Sequence, residues 1–105
     1  MIKTIVKYIT KEIKAAEEYI HEAYMKKAHC KETADLFITL ADEELSHAGM
    51  LLKQGQSLID KINVDKESQM YEHDLKNITI WEWEKEQTHS CIAELKININ
   101  SYKSM

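Results

Sequence analysis

Apolar residues recur along this chain at three- and four-residue spacing, the pattern of helices that turn one face inward. Ile2, Val6, Ile9, Ile13, Ile20 and Tyr24 form one stripe and predict a helix from Ile2 to Lys27. Ala34, Phe37, Ala41, Ala48, Leu51, Leu58 and Ile62 form a second and predict a helix from Thr33 to Ile62. The polar stretch AHCKET between them is short, so the two helices are expected to lie antiparallel side by side. Asn63-Val64-Asp65 offers caps and predicts a second break. A third helix is expected from Glu67 to near Asn100, kinked or broken around Asn77, where NITIW is rich in β-branched residues. The final NSYKSM is expected to fray.

The third helix carries a second apolar side, made of Met70, Ile80, Trp81, Cys91, Leu95, Ile99 and Tyr102. A helix apolar on most sides is buried on most sides. The expectation is a subunit interface anchored by Trp81, with a kinked or swapped helix as the alternative.

Composition narrows the class. A chain of 105 residues holds one domain, and two Gly with no Pro favour long helices over a turn-rich sheet. One core of this size is marginal, so oligomerisation or a metal is expected to reinforce it. The net charge is −4 and all 14 basic residues are Lys. Without the bidentate guanidinium fork, an acidic chain is a poor nucleic-acid binder. Cys30 and Cys91 form no C-x-x-C pair, which excludes a zinc ribbon or a rubredoxin-type centre; both are expected to be inert. Free thiols, a charged start (MIKTIVKYITKEI) and the lack of an apolar run near the ~20 residues of a membrane span point to the cytoplasm and away from the membrane.

Each stripe contains polar intruders: Glu17 on the first helix, Glu44 and His47 on the second, Glu82, Glu86 and His89 on the third. A buried carboxylate must neutralise, pair or bind a metal. In an antiparallel hairpin, residues equally far from the turn lie level. A turn centred near residue 31 puts Glu17 level with Glu44 and His47. A second turn near residue 64 brings Glu82 to the same height, and a small shift of that turn brings Glu86 instead. Glu44-Leu45-Ser46-His47 is an E-x-x-H motif, which places carboxylate and imidazole one turn apart on one face. Glu18/His21 has the same spacing but lies off its stripe, and Glu43 is read as a solvated neighbour.

Glu17, Tyr24 and the segment DEELSHAGMLL (42–52) together resemble the first half of a ferritin-like di-iron protein. The resemblance spans residues 13 to 55. It implies an all-α, ferritin-like fold: an antiparallel helical hairpin plus a third long helix, with a four-helix metal site completed by dimerisation. The likeness is greatest to the short encapsulated ferritins, rubrerythrin-like half-bundles in which two chains pair. Twice Glu17, Glu44 and His47 then supplies four Glu and two His. The resemblance further implies a di-iron centre, with manganese or zinc as substitutes. Tyr24 would lie beside the metal ligands, and Glu82, Glu86 and His89 would be candidates for additional ligands. The implied activity is Fe(II) oxidation by O2 with iron storage, with peroxide reduction or a non-catalytic helical interaction protein as alternatives. The C-terminus ELKININSYKSM shows no capsule-targeting peptide, so a protein nanocompartment stays an open alternative to the free cytoplasm.

Overall fold

The computed structural model describes residues 1–64 and 72–105, and the described residues form three helices: α1 (Ile2–Lys26), α2 (Lys31–Val64) and α3 (Glu72–Lys103). The rod they make measures 60 × 20 × 15 Å. None of these helices is long and apolar enough to cross a membrane.

The α1–α2 hairpin is organised by small side chains. On α2, Ala34, Ala41, Ala48 and Gly55 follow one another at seven-residue intervals, and all four are buried. On α1, Ile2, Ile9, Ala16 and Ala23 keep the same interval and are also buried. A strict seven-residue repeat keeps one seam facing its partner along the whole helix. Ile38, Leu45, Leu52 and Ile59 fill the second buried column of α2. Phe37, Leu51, Leu58 and Ile62, expected from the sequence in the inward stripe, are instead half-buried on its flank.

The connection is shorter than AHCKET. Cys30 N–H donates to the Lys26 carbonyl at 2.8 Å and Ala34 N–H to the Cys30 carbonyl at 3.0 Å, so α2 starts at Lys31. Cys30 Sγ lies 3.0 Å from Thr33 Oγ1. The side-chain hydrogen bond to Thr33, followed by its backbone N–H, holds the thiol below its ordinary range.

The third helix seats its own 3-4 repeat on the hairpin: Trp81, Thr88, Leu95 and Tyr102 are buried at seven-residue spacing, with Ile92 and Ile99 between. Several expectations are corrected here. Residues 63 and 64 continue α2 and do not break it. α3 runs unbroken through Asn77 and NITIW. The C-terminus stays helical to Lys103 because Tyr102 is anchored. Asp65 and the stretch 67–71, including Met70 and the expected start of the third helix, lie outside the described residues.

Trp81 is not a subunit anchor either. It is fully buried within the chain, packed among Ile2, Ile9, Leu52 and Ile59. Its Nε1–H donates to Gln56 Oε1 at 3.0 Å. The ring fits because residue 55 is glycine: a Cβ there would collide with the indole, whereas a Cβ on Gly49 would meet nothing. Two alanine substitutions therefore have opposite signs. Gly49→Ala should raise unfolding stability by about 0.5–1 kcal/mol through helix propensity. Gly55→Ala should lower it by about 1–3 kcal/mol through overpacking. Chemical denaturation of both variants checks this, and equal effects would contradict the assigned role of Gly55.

Candidate metal centre

The two helices of the hairpin expose two flanks, and α3 covers only one. The α3-side grooves are lined by Ile9, Ile13 and Glu17 of α1 and by Leu45, Gly49 and Leu52 of α2. The other flank carries Ile5, Glu12 and Tyr19 on α1, and Phe37, Glu44, Leu51 and Leu58 on α2, all half-buried. Each set repeats every seven residues. Tyr19 stacks on Phe37 with centroids 5.9 Å apart. Glu12 and Glu44 occupy the next positions down these apolar columns.

There Glu12, Glu44 and His47 converge. Each offers a ligand atom, and these atoms lie within 4.8 Å of one another. His47 Nδ1 is 3.6 Å from Glu12 Oε2 and 3.8 Å from Glu44 Oε2. The two glutamate side chains are only 24% and 21% exposed, and His47, at 52%, forms the rim. Glu44 and His47 sit on one face because three residues span nearly one helical turn. Glu12 meets them because of the register set by the turn.

The chemistry of the donor set suits a divalent cation. Carboxylate oxygens and an imidazole nitrogen bind such ions at about 2.0–2.2 Å, so two donors on one ion lie at most roughly 4.4 Å apart. The two nitrogen–oxygen separations fall inside that limit, and the 4.8 Å that bounds the trio as a whole leaves a contraction of a few tenths of an ångström for three-point binding. Two oxygen donors and one imidazole match iron, manganese or zinc better than soft, thiolate-seeking ions. Without a cation, or a proton on His47, two half-buried carboxylates would repel.

Glu17 does not join the trio. It is exposed on the α3 flank, beside Glu84, Thr88 and Cys91, and it also borders a shallow depression with Glu18, His21 and Glu22. The turn is centred near residue 28.5, midway between Lys26 and Lys31, and not near 31. That shift lowers the level partner of Glu44 by about five residues, from Glu17 to Glu12. Five residues is also about 140° around a helix, enough to change flanks. A shorter turn was the signal in the sequence that could have pointed to Glu12.

The other candidates lie elsewhere. Tyr24, twelve residues from Glu12 and so about 18 Å along α1, donates its hydroxyl to the Asn98 carbonyl at 2.9 Å. Glu82 pairs with Lys85 at 3.0 Å. Glu86 is exposed, and His89 lines the groove between α2 and α3.

Tyr24 belongs to a cluster that ties the end of α3 to the hairpin turn. Its ring meets Tyr102 edge-on at 5.6 Å. Lys27 Nζ lies 4.3 Å above the Tyr102 ring and donates to the Tyr102 carbonyl at 3.1 Å. The Tyr102 hydroxyl donates to Asp35 Oδ1 at 2.8 Å. Burial, then the Asp35 hydrogen bond, pushes the phenol up to about 12. The same hydrogen bond is the main reason that the Asp35 carboxyl is held below its ordinary value.

Comparison with protein-family models, with curated proteins and with solved structures finds no match.

The Asp35–Tyr102 bond has a signed pH dependence. Asp35 is depressed, so its contribution is present above the unfolded carboxyl value near 4 and is lost as pH falls. Tyr102 is raised, so its contribution is complete below about pH 10 and is lost as pH climbs toward 12. Tyr102→Phe should therefore lower the melting temperature at pH 7, and the difference from the parent should shrink below pH 3. Thermal scans at the two pH values decide it; a difference that does not change with pH would contradict the bond.

Proposed function

We propose that this chain is a metal-binding helical protein in which Glu12, Glu44 and His47 hold a divalent cation, iron foremost. In this reading two copies place their open flanks together, giving four Glu and two His for two metals. The observation that supports it is the convergence of two carboxylates and one imidazole at the middle of otherwise apolar columns. The activity that fits is oxidation of Fe(II) by O2 in iron handling, with Fe(II) as substrate. Bound iron would supply the one-electron chemistry toward O2. The protein's own part is to present hard oxygen donors from Glu12 and Glu44, to place the His47 imidazole at the rim, and to exclude water with Tyr19, Phe37 and Leu51 above and below. Peroxide is an alternative oxidant at the same site.

Metal that binds only the folded chain raises its stability, by about 2.7 kcal/mol when free metal is a hundredfold above Kd. Anaerobic Fe(II) or Mn(II) should therefore raise the melting temperature, with elemental analysis giving about one metal per chain. Glu12→Ala, Glu44→Ala and His47→Ala should abolish the shift, while Glu17→Ala should keep it. Oxygen uptake on adding Fe(II), read beside the mass in solution, tests the activity and the pairing. Melting that ignores Fe(II), Mn(II) and Zn(II) alike would leave the trio as a polar layer that only fixes packing register.

A further inference from the structure

On the flank away from the trio, α2 and α3 leave a groove of about 480 Å³. Its floor is apolar, made of Leu45, Leu52 and Ile92. Gly49 lies between the two leucines and projects no side chain, which keeps the groove clear. The walls are cationic, with Lys53, Lys85 and Lys96 beside His89 and one carboxylate, Asp42. This gathering runs against the chain's net charge of −4. Asp42 is already paired with Lys103 at 3.9 Å. Lys85 is held by Glu82 at 3.0 Å and Gln56 at 3.2 Å. Lys53, Lys96 and His89 make no side-chain hydrogen bond or ion pair among the described residues.

Register divides the groove into ends. The contacts Asp42–Lys103 and Gln56–Lys85 set the heights of the two antiparallel helices. Lys53 is then level with His89, and Lys96 with Ser46. Lys53, Lys85 and His89 crowd one end, and the apolar floor runs from there past Gly49 to Leu45, about 10 Å along α2.

We infer that this groove binds a single-chain amphipathic anion of the fatty-carboxylate class, with its head between Lys53 and His89 and its tail along Leu52, Gly49 and Leu45. Charge complementarity selects the anion, and the apolar floor selects a tail over a bare inorganic ion.

Decanoate below its micelle concentration, titrated into the full chain by calorimetry, is the probe. In a Trp83→Phe background, which removes the exposed second indole, Trp81 fluorescence is a second readout, because its indole is bonded to Gln56 in the groove wall. The expected result is saturable binding of one decanoate per chain, weakened by salt. Gly49→Leu, whose Cβ meets open space, should keep the helical circular dichroism and weaken binding by about tenfold or more, roughly 1.4 kcal/mol. Lys53→Gln, a rim change that leaves the floor intact, should weaken it several-fold and more than Lys96→Gln does. Glu44→Ala should leave it unchanged, so the outcome is independent of the metal reading. Absence of saturable binding overturns the proposal. So do equal binding of decanol or decyltrimethylammonium, indifference to Gly49→Leu, and binding confined to phosphatidylglycerol vesicles.

Discussion

Close contact between α1 and α2 through small residues is the constraint from which the rest of the structure follows. Ala16, Ala23, Ala34, Ala41 and Ala48 are completely buried, and alanine gives up almost no side-chain entropy on burial. Antiparallel helices that meet through Cβ-poor columns have little room to slide, because any slip drives Ile9 or Ile20 into a neighbouring turn. With a turn of four residues between Lys26 and Lys31, facing positions on the seam have numbers that add to 57: Ala23 with Ala34, Ala16 with Ala41, Ile9 with Ala48. On the open flank Tyr19 with Phe37 and Glu12 with Glu44 add to 56. One register thus places the aromatic stack and the two carboxylates. Where α2 presents Gly55, Trp81 enters from α3 and fixes the third helix to the same frame.

This dependence explains what the sequence could and could not convey. The helices were legible because the apolar period extends over many turns, and the hairpin because the stretch between α1 and α2 is too short for anything else. Glu44 and His47 were legible as a pair because their spacing is local to one helix. Glu12 was not, because its partner depends on where the turn is centred, and an error of two and a half residues there doubles on reflection. In the α2 stripe Ala34, Ala41 and Ala48 were placed on the buried seam, while Phe37, Leu51, Leu58 and Ile62 were placed one flank off for a related reason. Ile38, Leu45, Leu52 and Ile59 and the column Phe37, Leu51, Leu58 are both apolar at seven-residue spacing, and only the position of α3 decides which is inside. Trp81 and Tyr102 were legible as part of an apolar side of the third helix, but their partners Gly55 and Asp35 lie far along the chain and no local pattern announces those contacts.

The placement of α3 also separates the molecule's two chemical features. By covering the Leu45–Leu52 flank incompletely it creates a groove whose walls are lysines. By leaving the Phe37–Leu51 flank bare it exposes apolar columns interrupted by carboxylates. The α2–α3 groove gathers lysines and the open flank gathers two carboxylates, although both features are built on α2 and are separated by little more than a helix diameter of about 10 Å.

On the proposed reading, the open flank would couple association to cation binding. Its columns are half-buried in the single chain, and covering them with a second copy would remove Tyr19, Phe37, Leu51 and Leu58 from water, a favourable change in proportion to area. The same step would remove water from Glu12 and Glu44, and a carboxylate pair loses more by desolvation than one aromatic stack returns. A cation between them reverses that balance, because Coulomb attraction strengthens as water leaves. Metal and partner would therefore favour each other, and by linkage the factor by which metal tightens pairing equals the factor by which pairing tightens metal. A chain with this flank would stay single when starved of metal and pair when supplied, with no moving part beyond the side chains of the trio.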